Sequence, residues 1–307
     1  MRCLVTGGTG FLGSVLVRRL RELGHQVTVA SRSRGQDVTR VSTLEPCFRE
    51  IQAVFHLAAL VQSRPGPFLR VNVDGLRNVL ELARRHGVAR LVHVSSFTVF
   101  GPSGDGVHTE ERMPDRNRFF HGYDQSKYEA FRMAGQWKDR LSMNTVFPTV
   151  VYGPGPMTEG NLLVRLLRRW KKLRMAALPG RGAPCWNFVY VDDVADALIR
   201  CLDADAGEDF ILGGENRTLQ DLFGTFRKVA DVPMVPLGLP DRLFRAGARL
   251  EDWSARLRGA SPLLVPSTAE FFLRNWRFSS GKAGAQLGYS PRSLEEGLIS
   301  TNRWMAS

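Results

Sequence analysis

Tyr123 and Lys127 stand four residues apart in Tyr123-Asp124-Gln125-Ser126-Lys127, within a stretch whose pattern predicts a helix around 123–139. On a helix that spacing sends both side chains out from one face. A tyrosine hydroxyl ordinarily titrates near 10, too high for ready proton exchange at neutral pH. An ammonium within a few ångströms favours the phenolate and lowers that value. Upstream, Ser96 follows the apolar run Arg90–Ser95, which reads as a strand. In open α/β sheets the C-terminal ends of strands are where ligands bind. The Ser96 hydroxyl can there donate to a carbonyl and stabilise developing alkoxide charge. The three groups suit the movement of a proton to or from a carbonyl or alcohol oxygen.

A second constellation opens the chain. Thr6-Gly7-Gly8-Thr9-Gly10-Phe11-Leu12-Gly13 lies between a strand, Arg2–Thr6, and an amphipathic helix bearing Leu12, Leu16 and Leu20. Gly7 permits a tight turn, Gly10 lets a pyrophosphate approach the backbone, and Gly13 lets helix pack closely on sheet. Free amides and the dipole at the helix start then hold the phosphates. The candidate cofactor contacts here are Gly7, Thr9, Gly10, Phe11, Leu12 and Gly13. After the second strand the chain reads Ser31-Arg32-Ser33-Arg34, with no carboxylate to meet the 2′-hydroxyl of NAD. Arg32 offers a fork to the 2′-phosphate of NADP, with Ser31 beside it. NADP(H) is therefore the expected cofactor, with NAD(H) as the other candidate.

Those groups need a scaffold, and the 307 residues supply one. Hydrophobic residues make up 43% and charged residues 23%, an ordinary globular composition that excludes disorder and disulfide mini-scaffolds. Short apolar runs alternate with helical patterns through residue 150, which implies an α/β fold, a doubly wound parallel sheet. Runs such as Ala53–Ala58 are almost wholly apolar, as a sheet covered on both faces requires. From Tyr152 onward helices separated by Pro and Gly suggest a smaller, mainly helical C-terminal substrate lobe. The expected division is residues 1–152 for the dinucleotide-binding part, with 185–214 returning to it. The lobe would comprise 153–184 and 215–307.

The formal net charge is +12, and +7 of it sits in residues 161–191, which hold no acid. Asn161–Leu173 has Leu162, Leu163, Leu166, Leu167, Trp170 and Leu173 on one helical face and Arg165, Arg168, Arg169 and Lys172 on the other. Such a face either solvates a lobe helix or recruits an anionic partner: an acidic or carrier-bound substrate, or a membrane surface. No recognition motif points to nucleic acid. No apolar run reaches membrane-spanning length. Cys3, Cys47, Cys185 and Cys201 form no pair and read as reduced thiols of a cytoplasmic protein. His56, His93 and His121 read as packed or satisfied imidazoles, and no metal site is expected.

The order of motifs resembles that of the extended short-chain dehydrogenases/reductases, the epimerase/dehydratase-like and dihydroflavonol-reductase-like branch. The glycine spacing resembles TGxxGxxG. Val54-Phe55-His56-Leu57-Ala58-Ala59, Val71-Asn72-Val73-Asp74-Gly75, Leu91–Gly101, Tyr123-Asp124-Gln125-Ser126-Lys127, Val151-Tyr152-Gly153-Pro154-Gly155 and Phe188–Ala195 follow in the family's sequence. The resemblance implies a Rossmann-type fold. It implies Tyr123 as general acid/base, Ser96 polarising the carbonyl, and Lys127 holding the nicotinamide ribose as well. Asn72 is a further catalytic candidate, through a supporting hydrogen-bond chain. Ala58, Ala59 and Pro148 would also meet the cofactor, and Asp37 and Val38 resemble the pair beside the adenine. Extended members are often homodimers through paired helices, here Phe68–His86 and Gly122–Trp137.

Three functions follow from that scaffold: an NADPH-dependent reductase of a ketone or aldehyde (or the reverse alcohol dehydrogenase), a nucleotide-sugar epimerase or dehydratase, and a non-catalytic NADP-binding protein. Sugar enzymes usually place an arginine before the Phe188–Asp193 strand, where this chain reads Pro184-Cys185-Trp186-Asn187. Phe147-Pro148 likewise stands where the family often has Arg-Pro. The lobe's aromatic residues, Trp170, Trp253, Phe271, Phe272 and Trp276, suit an apolar or ring substrate or the lobe's own core.

Overall fold

The computed structural model describes residues 1–61, 66–111, 119–259, 262 and 264–306. Of the lobe expected at 215–307, residues 260, 261, 263 and 307 lie outside the described residues. The strands are β1 (Arg2–Thr6), β2 (Gln26–Ala30), β3 (Ala53–His56), β4 (Arg90–Val94), β5 (Met143–Pro148), β6 (Val150–Tyr152), β7 (Met175–Pro179), β8 (Cys185–Tyr190), β9 (Asp209–Leu212), β10 (Glu215–Thr218) and β11 (Val235–Leu239). The main sheet runs β2-β1-β3-β4-β5-β9, all parallel.

Alternation along each strand builds two cores. Cys3, Val5, Phe55, Val92 and Val94 face the helices Phe11–Glu22 and Val191–Arg200. Leu4, Val54, Leu91 and Met143 face Gly75–Arg85 and Gly122–Gly135. Successive strand side chains point to opposite faces, so a run apolar at every position serves both. The strand order turns back at β1, with β2 on one side and β3 on the other. That turning point is where open α/β sheets bind ligands.

The expected return of 185–214 to this sheet is corrected for β8. β9 pairs with β5, Thr145 opposite Asp209 through Pro148 opposite Leu212. β8 instead joins a separate sheet of order β10-β8-β6, with Val150 opposite Phe188 and Tyr152 opposite Tyr190. One strand edge takes one neighbour at a time. β9 occupies the 145–148 half, so β8 takes the half beyond Thr149. The lobe is mainly helical, with β7 and β11 as a parallel pair. Its core holds Trp170, Trp186, Trp276, Phe226 and Phe272. Arg292 clamps the C-terminal segment by a two-pronged contact to Asp193 (3.0 and 2.8 Å) and lies 4.1 Å from the Tyr190 ring centre.

Candidate functional site

A cleft of about 700 Å³ runs between the C-terminal edge of the main sheet and the lobe. Gly7, Thr9, Gly10, Phe11, Leu12 and Gly13 line it, as do Ser31, Arg32, Asp37, Val38, Ala58, Ala59, Ser96, Tyr123, Lys127 and Pro148. One candidate lies outside it. Asn72 sits behind the wall, 3% exposed, on a π-helical turn (Arg70–Asp74) leading into Gly75–Arg85. Its Oδ1 accepts from the Leu60 amide at 2.7 Å, and its Nδ2 donates to Ser126 Oγ at 2.9 Å. Ser126 in turn donates to the Tyr123 carbonyl at 2.7 Å. Asn72 therefore ties the loop after β3 to the tyrosine's helix and reaches no reacting atom. Expected as a candidate through a supporting hydrogen-bond chain, it is linked through Ser126 to the Tyr123 backbone, and we read it as a positioning residue.

The glycine loop fits a dinucleotide pyrophosphate. Gly7 has φ +72° and lies against β3's exit: a Cβ there would fall 2.7 Å from the Ala58 amide nitrogen. A Cβ on Gly13 would fall 2.2 Å from the Gly7 carbonyl oxygen. Gly10 precedes the Phe11–Glu22 helix and supplies no side-chain cap, so the helix's first amides stay available to an anion. Beyond β2, Arg32 is exposed and enters a short 3-10 turn, while Ser31 is buried with its hydroxyl 3.0 Å from that of Ser33. Burial opposes ionisation of Asp37, but two hydrogen bonds from Thr39 and the charges of Arg32 and Arg40 hold its carboxyl below the usual range. Val38 is buried against Gly75, whose Cβ would meet it at 2.7 Å.

The three candidate catalytic groups converge from two elements. Ser96 caps the turn Phe97–Phe100 and accepts from the Thr98 amide (3.3 Å) and hydroxyl (3.0 Å). Tyr123, on Gly122–Gly135, lines the cleft with Ser96, whose hydroxyl favours the ionised form of the phenol. One turn on, Lys127 is 4% exposed and donates from Nζ to the Val94 carbonyl at 2.8 Å. The expected lowering of the Tyr123 pKa by Lys127 is not found. Burial pushes it up to about 12 against the pull of the nearby Ser96 hydroxyl. The ammonium is turned to Val94, and burial brings its own value down to about 8.

Sequence reasoning missed the role of His121. Its Nδ1 accepts from the Tyr123 amide at 3.1 Å, capping the helix at the residue that must be aimed, and its ring meets Phe68 edge-on at 5.0 Å. Its position just ahead of the helix was the available signal, but imidazole is an uncommon cap. His56 is satisfied by Thr6 Oγ1 at 2.8 Å, and burial, then the Lys127 charge, lower it to about 3. His93 stacks on it at 5.6 Å, buried, with neither ring nitrogen bonded to a described protein group. Of the two expected readings, packed or satisfied, His93 takes the first: β4 carries the ring into the interior against His56. Among the described residues no cluster of three His, Cys, Asp or Glu could hold a metal.

The lobe's contribution to the cleft is largely apolar: Leu162, Leu163, Leu166, Trp186, Phe271 and Phe272. Trp170 and Trp276 instead belong to the core, at 3% and 0% exposure, and Trp253 faces outward. The polar face of the Leu162–Leu173 helix divides its tasks. Arg165 lines the cleft, Arg169 pairs with Glu251 at 2.9 Å, and Arg168 lies 5.3 Å from the Trp304 ring centre.

The Lys127 shift has a stability consequence. Below pH 8 both folded and unfolded chains carry its proton; between about 8 and the ordinary 10.5 only the unfolded chain does. Stability from this group must therefore rise with pH across that window. Denaturant midpoints of the wild type relative to Lys127→Met should climb from pH 8 to 10. Other titrating groups cancel in that comparison, and a flat difference would place the lysine in a solvated environment.

Residues 3–213 match the model of the NAD dependent epimerase/dehydratase family. The chain is 30% identical to 2-alkyl-3-oxoalkanoate reductase of Stenotrophomonas maltophilia, over 97% of each chain. It is 29% identical to a Synechocystis protein provisionally named dihydroflavonol 4-reductase, over 98% of this chain and 93% of that one. The solved structure of MoeE5 with UDP-glucose and NAD superposes with a TM-score of 0.78 at 27% identity, covering 100% and 99% of the two chains.

Proposed function

The chain belongs to the NAD-dependent epimerase/dehydratase family of NAD(P)-dependent enzymes, and from that premise we propose that it reduces a ketone or aldehyde with NADPH, or oxidises the matching alcohol. The observation that carries this reading is the Ser96–Tyr123 hydroxyl pair at the cleft wall with the Lys127 ammonium one turn away. The dinucleotide, when bound, supplies or accepts the hydride. Tyr123 holds a proton at Oη, and with a pKa near 12 it is protonated at neutral pH and fit to act as an acid. Ser96 accepts from Thr98, so its single proton is left for the cleft side, where a substrate oxygen would take it in place of the Tyr123 oxygen. Lys127, with one bond to Val94, has further donors for a ribose hydroxyl.

The apolar lobe wall supports an organic carbonyl compound over a nucleotide sugar. Trp186 lines the cleft at the segment where sugar enzymes of the family usually carry a diphosphate-binding arginine. The Stenotrophomonas relative is named for reduction of a branched oxo acid, and Arg165 at the cleft would suit a substrate with an acidic end. The test is NADPH oxidation against a panel of ketones, aldehydes and oxo acids, with co-purified nucleotide identified by mass spectrometry. Turnover of a carbonyl compound with NADPH is expected. Tightly held NAD with sugar epimerisation and no net NADPH oxidation would overturn the reading.

Cofactor choice has its own test. Arg32→Ala should weaken NADPH by about 1.5–3 kcal/mol, the loss of one charge-assisted hydrogen bond. NADH, with no 2′-phosphate, should be nearly unaffected. Equal weakening of both in a fluorescence titration would assign Arg32 to solvent.

A further inference from the structure

We propose that the helix Asp241–Leu257 lies on the surface of an anionic lipid bilayer, its outward apolar stripe in the interface. The helix has two apolar faces. Phe244, Ala248 and Ala255 are buried against the lobe. On the opposite side Leu243, Leu250, Trp253 and Leu257 are 59%, 64%, 60% and 70% exposed. At the α-helical angular step these four fall within an arc of roughly 80°. Single exposed leucines are common on protein surfaces, but four large apolar side chains on one stripe mark an interaction face. Exposed apolar side chains also occur on the strand pair that precedes the helix. Val235 and Leu237 on β11 are 65% and 43% exposed, and Met175, register partner of Val235 on β7, is 41% exposed.

Charge identifies the occupant. Arg242 and Arg249 border one side of the stripe and Arg258 follows its end; none has a carboxylate partner among the described residues, whereas Arg245 and Arg256 pair with Glu270 and Asp252. A second copy of this chain is a poor fit, because a two-fold contact would set these arginines near their equivalents on a chain of net charge +12. Leucine and tryptophan beside an arginine border is the composition of helices that lie in a membrane interface. No helix among the described residues is long and apolar enough to cross a membrane, so the contact is one of lying on the surface. The same helix is bound through the Arg245–Glu270 ion pair to Pro266–Phe272, and Phe271 and Phe272 of that segment line the cleft. A lipophilic substrate would thus meet the cleft close to where the chain meets the lipid.

The test is co-sedimentation of the full chain with phosphatidylcholine vesicles, with and without phosphatidylglycerol, over a salt series. Binding should strengthen about tenfold or more with the anionic lipid at low salt and weaken as salt rises. Leu250→Ser with Trp253→Ser should lose binding about tenfold or more, with the thermal midpoint checked in parallel. Should that variant fail to fold, Arg242→Gln with Arg249→Gln and Arg258→Gln, all at exposed positions, should remove the dependence on phosphatidylglycerol. Indifference of the wild type to both vesicles, or undiminished binding by folded variants, would overturn the proposal. So would a dimer in sedimentation equilibrium that the Leu250/Trp253 variant dissociates, since the stripe would then belong to a second copy.

Discussion

Tyr123→Phe is expected to lower turnover of a carbonyl substrate by about 10²–10⁴-fold, the usual contribution of a positioned general acid. The substitution removes one hydroxyl and leaves the ring. Ser96 keeps both contacts from Thr98, and the His121 bond goes to the Tyr123 backbone amide, so helix and wall should hold. NADPH affinity should therefore stay close to that of the parent. The pH dependence should be directional. With Tyr123 near 12 the acid form persists through neutral pH, so reduction is not limited by its protonation, whereas alcohol oxidation needs the phenolate and should accelerate as pH rises. Steady-state kcat in both directions and a fluorescence titration of NADPH check this. A parent-level rate would move the acid to another group.

Lys127→Met is expected to act on both binding and chemistry. The loss of a charged donor to the ribose should weaken the cofactor by about ten- to a hundredfold. A cofactor held less precisely should also cost about 10²-fold in kcat. The parent's reduction rate should fall above pH 8, where the buried ammonium gives up its proton, and the variant should lack that limb. Normal NADPH affinity in the variant would confine Lys127 to packing beneath Val94.

The phosphate loop and the sheet were legible in the sequence because their signals are local. Gly7 and Gly13 mark a turn whose sterics are settled within a few residues and one strand crossing, and the apolar runs of β1, β3, β4 and β5 carry the double-sided burial of a parallel sheet. Tyr123 and Lys127 were legible for the same reason, a helical spacing read along one element. β8 was not: its alternatives, the free edge beside β5 or that beside β6, look alike in a hexapeptide that is apolar at all positions but Asn187. The choice depended on β9 taking the first.

The amino-acid sequence by itself determined which side chains can do chemistry, their order, and the periodicities that place them at strand ends and on helix faces. Only the tertiary structure decided what surrounds each of them. It placed Asn72 behind the cleft and His121 under the tyrosine's helix. It directed the Lys127 ammonium to Val94, sent Arg165 into the cleft but Arg169 to Glu251, and left the Leu250–Trp253 stripe uncovered. Spacing fixes directions relative to the chain's own axis. Hydrogen-bond partners, burial and the pKa values that follow from them depend on groups from distant segments, which meet only when the elements pack.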